Sequence, residues 1–156
     1  MIYLYNMMLE DKIYKDYVEA LKARNKQKSD FLSFIRAELK NGAIELKKDK
    51  LDDNEVLSAL KKQKKRLEES YEMMQKSQRV DILDGLKAES AILDEYLPRQ
   101  LDENELTTLV EQTIKELGAS SIKDMGRVIK EILAKAGASA DSRKVSEIVK
   151  AKLTNQ

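Results

Sequence analysis

The sequence predicts an all-α chain in two parts. An N-terminal helical bundle or hairpin domain of about four helices (residues 8–97) precedes a compact three-helix tail (residues 98–156). Three observations carry this. Charged residues make up 37% and hydrophobic ones 42%, with only five glycines and two phenylalanines, a mixture for amphipathic helices rather than sheets. Apolar residues recur at spacings of three and four along most of the 156 residues. The single proline, Pro98, separates long lysine-rich patterns from shorter ones. Proline lacks a backbone N–H and drives the residue before it out of the α region, so Leu97 and Pro98 are expected to form the hinge between the parts.

The first helix is expected from Leu9 to about Arg24, with Leu9, Ile13, Tyr17 and Leu21 as its inward stripe. Residues before it fit the stripe poorly and read either as a frayed extension of the helix or as sequence upstream of the true start, Met7 or Met8, the second reading being preferred. Asn25 to Ser29 form a polar connector, with Ser29 as N-cap. The second helix carries Phe31, Leu32, Phe34, Ile35, Leu39, Ile44 and Leu46, and Gly42 within it costs about 1 kcal/mol against alanine. Asp52 and Glu55 have capping-box spacing at the start of a third helix with Val56, Leu60, Leu67, Tyr71 and Met74 inward. A fourth is expected from about Val80 to Leu97, turning Leu83, Leu86, Leu93 and Tyr96 inward.

Beyond Pro98, Asp102 and Glu105 repeat the capping-box signal before Leu106, Leu109, Val110, Ile114 and Leu117, and Gly118 stops that helix. Ser121 caps the next, with Met125, Val128, Ile129, Ile132 and Leu133 inward, and Gly137 ends it. Asp141 or Ser142 caps a last helix carrying Val145, Ile148, Val149 and Leu153.

Composition removes several function classes. There is no cysteine and no histidine, so disulfides, thiol catalysis, the usual zinc ligands and the usual neutral-pH base are all absent. The 29 basic and 28 acidic residues nearly cancel, so any nucleic-acid contact must come from a local patch. No apolar run approaches the roughly 20 residues that span a bilayer, and the start lacks a leader's charge and cleavage pattern. A soluble, cytoplasmic protein is expected, with no metal and no cofactor.

Two long stretches then stand out: Glu95-Tyr96-Leu97-Pro98-Arg99-Gln100-Leu101 and Ile122-Lys123-Asp124-Met125-Gly126-Arg127-Val128. With Leu86-Lys87-Ala88-Glu89 upstream and Ala140-Asp141 downstream, they resemble the GatB/YqeY family of small stand-alone proteins over nearly the whole chain from Met8. The resemblance implies a helical domain followed by a tail similar to that closing the B subunit of the amidotransferase acting on mischarged Asp-tRNA and Glu-tRNA. In that enzyme the tail is thought to contact the tRNA body, while ammonia transfer belongs to other domains. This chain departs from the family at Ala138-Ser139-Ala140-Asp141, where the usual basic residue is missing, which weakens the carry-over of a tRNA contact to that loop.

Two basic clusters are the candidate sites. In the tail, Lys123, Arg127 and Lys130 share one helix at steps of four and three, away from Met125 and Ile132, and Arg143 and Lys144 begin the last helix beside that surface if the three helices pack compactly; the cluster reads either as an ordinary solvated face or as an RNA contact. In the first part, Lys61, Lys62, Lys65 and Arg66 fall on the outer face opposite Leu60 and Leu67 at about 100° per residue. They read either as a solvated face with Lys64–Glu68 and Lys65–Glu69 pairs or as an anion patch. No aromatic residues interleave the tail cluster, so contacts to RNA shape and phosphate are expected rather than base stacking. Ser120, Ser121 and Lys123 have the residue types of a Ser-Ser-Lys amidase, but capping explains Ser121 and no oxyanion hole accompanies it. The expected function is a non-catalytic module that contacts tRNA or a tRNA-bearing complex. The alternative is a helical adaptor for a protein partner. Amidotransferase activity, a carbon–nitrogen ligation, is disfavoured.

Overall fold

The computed structural model describes residues 7–155, all of whose regular structure is helical. The reading of Met1 to Asn6 as lying upstream of the true start falls outside the described residues. Seven α-helices follow in order: α1 Leu9–Lys22, α2 Lys26–Glu45, α3 Asp53–Lys76, α4 Val80–Asp94, α5 Glu103–Leu117, α6 Met125–Ala136 and α7 Ser142–Thr154. The 3₁₀ turns Ile122–Asp124 and Gly137–Ser139 flank α6. Contacts divide the chain into two compact units, Met1–Leu97 and Pro98–Gln156.

Unit 1 is two helical hairpins, α1 with α2 and α3 with α4. Its core is built on Ile13, Leu32, Ile35, Leu39, Val56, Leu60 and Leu93, each at most 1% exposed. The expected stripe on α1 drifts: at about 100° per residue a spacing of four turns 40° per step. Leu21 therefore ends up 51% exposed, and Ala20, at 5%, takes its place.

The connector between α1 and α2 is shorter than expected. Asn25 is the N-cap, its side-chain oxygen accepting from the Lys28 N–H at 3.2 Å. Ser29 lies inside α2, buried, with its hydroxyl donating to the Lys26 carbonyl. Likewise α4 stops at Asp94, three residues before Leu97.

The closing signals of unit 1 contain no glycine. Arg24, Lys47 and Gln78 each take φ near +57° just after a helix. The residues that follow, Asn25, Lys48 and Arg79, donate back to Ala20, Ala43 and Met74. These bonds satisfy the last carbonyls of α1, α2 and α3 in Schellman geometry. Each left-handed residue costs on the order of 1–2 kcal/mol without glycine.

Unit 2 packs α5, α6 and α7 around Leu106, Val110, Val128, Ile132, Val145 and Val149, none more than 1% exposed. Asp102 and Glu105 form the expected capping box. Gly118, at φ 63°, closes α5. Asp141 caps α7 by accepting from the backbone of Arg143 and Lys144.

Gly42 sits inside α2, where a Cβ would meet only the Leu51 Cδ1 at 3.5 Å, an ordinary van der Waals contact. Gly42→Ala is therefore expected to stabilise unit 1 by up to about 1 kcal/mol, read as a raised urea midpoint. A lowered midpoint would show that α2 needs the glycine for close approach.

Candidate nucleic-acid interface and linker

The stretch from Glu95 to Leu101 is anchored at both ends. Tyr96 is buried, and its hydroxyl donates to Asp16 Oδ2 on α1 at 2.6 Å. Lys12 lies over the same ring, 5.3 Å from its centre. Burial and the hydrogen bond to the Asp16 carboxylate push the Tyr96 phenol well above its ordinary value, so the ring stays neutral. Glu95 pairs with Lys28 on α2. These contacts hold the end of α4 to α1 and α2.

On the other side of the proline, Arg99 makes a two-pronged ion pair with Glu105, at 2.8 and 3.0 Å. Gln100 Nε2 donates to the Ala138 carbonyl at 2.6 Å, and the Leu101 N–H donates to the Ser139 carbonyl at 2.8 Å. The loop between α6 and α7 is thus the hydrogen-bond partner of the Arg99-Gln100-Leu101 segment. These bonds fall on Ala138 and Ser139, part of the loop where the sequence departs from the family pattern. Leu97 and Pro98, expected as the hinge, lie between these two anchored segments.

The tail's charges are unevenly spread. From Pro98 to Gly118 two basic residues, Arg99 and Lys115, stand against the acids Asp102, Glu103, Glu105, Glu111 and Glu116. From Ala119 onward eight basic residues stand against the acids Asp124, Glu131, Asp141 and Glu147. Lys135 pairs with Glu116 and Lys152 with Glu111, tying α6 and α7 to α5. Lys123, Lys130, Lys144 and Lys150 are exposed and have no ion-pair partner within 4 Å among the described residues.

Lys123, Arg127 and Lys130 stand on the side of the 3₁₀ turn and α6 opposite the buried Val128 and Ile132. Asp124 holds this turn by accepting from the N–H groups of Ser120 at 3.0 Å and Ser121 at 3.4 Å. These bonds, helped by the charge of Arg127 at 3.1 Å, hold the Asp124 carboxyl below its ordinary range. The hydrogen bonds use both serine backbones for structure.

Arg143 and Lys144 sit elsewhere. They open α7, which follows the end of α6 by a five-residue connection, whereas Lys123 and Arg127 stand at its beginning. Lys123 and Arg127 therefore stand near the start of α6, which is roughly 18 Å long for its twelve residues, Lys130 stands at its middle, and Arg143 and Lys144 come after its end. Arg143 also reaches Glu147 at 3.8 Å. Lys150, two residues before Lys152 on α7, is a further exposed cation outside the candidate clusters.

In unit 1, Lys62, Lys65 and Arg66 are exposed and Lys61 is partly covered. The expected Lys64–Glu68 pair does not form, because Lys64 reaches across to Asp94 on α4. Lys65 and Glu69 also remain unpaired although they are four residues apart. Arg66 leaves the lysines and lines a groove with Leu67 and Ser70. Among the described residues no group of three acids could hold a metal ion, and no helix is long and apolar enough to cross a membrane.

The family model described as Yqey-like protein matches residues 10–153. The chain belongs to the YqeY-like family. No curated protein matches it. The match includes both anchored halves of the Glu95–Leu101 stretch and the turn that carries Lys123 and Arg127.

Glu105 accepts from Arg99 and from the Asp102 backbone N–H, which together lower its carboxyl from 4.5 to about 2. A carboxyl lowered in the fold contributes stability above its unfolded value, and that contribution is lost as pH falls. It is therefore expected to be full above about pH 4.5 and to fade toward pH 2. Carboxyl titration by NMR should give a Glu105 midpoint near 2, moving up toward the ordinary range in Arg99→Gln. An unmoved midpoint would assign the shift to the capping box alone.

Proposed function

We propose that the chain works as two functional domains, residues 8–97 and 98–156, and that the second binds the phosphate backbone of tRNA or of a tRNA-bearing complex without catalysing a reaction. The observation that carries this reading is the outer face of the turn and α6, where Lys123 and Lys130 are unpaired cations flanking Arg127. Cations with no carboxylate to release are free to replace condensed counterions on a nucleic acid. Structural lysines of the same unit, Lys135 and Lys152, are already neutralised against α5. The short side-chain inventory of the face offers charge without rings, which suits backbone and shape recognition. Lys144 and Arg143 lie far enough along to meet a different phosphate of the same strand or duplex. Family membership supports a role beside tRNA through the likeness of its tail to that of the amidotransferase B subunit. A second reading, an adaptor for a protein partner through the N-terminal helices, is favoured by the groove that Arg66 lines in unit 1.

Binding of bulk tRNA measured across a salt series tests the first reading. Three phosphate contacts give a log–log slope of about −2 to −3, and each cation removed lowers it by about one. Changing Lys123, Arg127 and Lys130 together to glutamate should abolish binding while circular dichroism stays unchanged. Binding that ignores those three changes, or that is absent at low salt, refutes it.

A further inference from the structure

An open groove of about 520 Å³ lies in unit 1 between α2, α3 and α4. Phe31 and Leu67 give it an apolar lining, and Phe34 stands beside them 48% exposed, its ring stacked on Phe31 at 6.4 Å. Arg66 from α3 and Glu89 from α4 also line it. Neither has an ion-pair partner within 4 Å among the described residues, and burial raises the Glu89 carboxyl above its ordinary range. Gln63 closes the floor, buried, with its amide donating to Glu38.

One patch thus carries both halves of two complementary pairs: a protruding ring beside an apolar hollow, and a free guanidinium beside a free carboxylate. A two-fold axis pairs each residue i of one copy with j of the other, and j with i, so such a patch is complementary to itself. We infer that this groove is the interface of a symmetric dimer of the chain: Phe34 of each copy enters the hollow of the other, and Arg66 of each pairs with Glu89 of the other. A small anion or cation would satisfy only one of the two charges and would leave Phe34 uncovered.

The surface beyond the groove agrees. From Lys64 to Ala91 no side chain is fully buried, and Tyr71, Met74, Leu83 and Leu86 are only half-covered along the α3–α4 hairpin. A stable interface buries roughly 800 Å² per partner, more than the groove alone, and partly exposed apolar residues of this hairpin are available to add to it. The inference rests on unit 1 alone and is independent of RNA binding by the tail.

Light scattering or sedimentation of the full chain over a concentration series is the test. The expected mass is twice 17.9 kDa. Arg66→Glu and Glu89→Arg, each folded by circular dichroism, should weaken self-association by about tenfold or more, because like charges then face each other. Mixing these two variants should restore the dimer, since each contact again joins opposite charges across the axis, which no repair within one chain can imitate. Phe34→Lys, at an exposed position, should be a folded monomer and serves if a charge variant does not fold. A wild-type chain that stays monomeric, single variants that dimerise as wild type does, or a mixture that stays monomeric each overturns the inference. A groove reserved for a different protein would appear as the first of these outcomes.

Discussion

Unit 1 depends on one hydrogen bond between groups 80 residues apart, from the Tyr96 hydroxyl to the Asp16 carboxylate. It joins α1 to the turn that follows α4, and no other side-chain hydrogen bond described spans so much sequence. Leu93 and Tyr96 together place the end of α4 in the core, and the hydroxyl has to find an acceptor once the ring is buried. Asp16 supplies one, and Lys12 on the next turn of α1 supplies positive charge over the ring. A phenylalanine at the same place would fill the space but leave α1 without this directional tie.

The two units solve helix termination by different means. Unit 2 uses residues suited to the purpose: Asp102 with Glu105, Asp141, and Gly118 at positive φ. Unit 1 uses the same kind of start at Asp52, but ends three helices on Arg24, Lys47 and Gln78 in left-handed backbone. The penalty there is offset by Schellman bonds and by solvent for the long polar side chains. Unit 1 therefore carries local strain that its larger core has to hold, whereas unit 2 carries little.

Much of this was legible from residue order. Capping boxes announce themselves at Asp52 and Asp102, and the inward positions of α5 to α7 follow from periodicity because each helix there has one buried face. The α1 stripe misled at Leu21 because a spacing of four looks periodic yet rotates off the core within three steps. Ser29 looked like a cap since serine is a common one, but the left-handed Arg24 brings the chain round early and leaves the role to Asn25. Ion-pair choices were not legible at all. Lys64 had a carboxylate four residues away and chose Asp94, thirty residues on, because tertiary packing set the distance. The groove beside Phe34 was hidden for the same reason, as it needs three helices to exist. The tail cluster was legible as a face in Lys123, Arg127 and Lys130, and not in Arg143 and Lys144, whose position depends on how the chain turns between α6 and α7.

The absence of any fully buried side chain from Lys64 to Ala91 has a consequence for motion. Opening a helix locally costs mainly the apolar surface it exposes, and this hairpin has little to expose. Its amides are therefore expected to exchange with solvent through local openings, at less than the free energy needed to unfold the core around Leu93. The turn at Ser77, Gln78 and Arg79 is exposed, with Gln78 in left-handed backbone, and proteolytic nicking is expected there. Any partner that covers the hairpin slows both processes, so its occupancy is written in exchange rates before it is visible in the average structure.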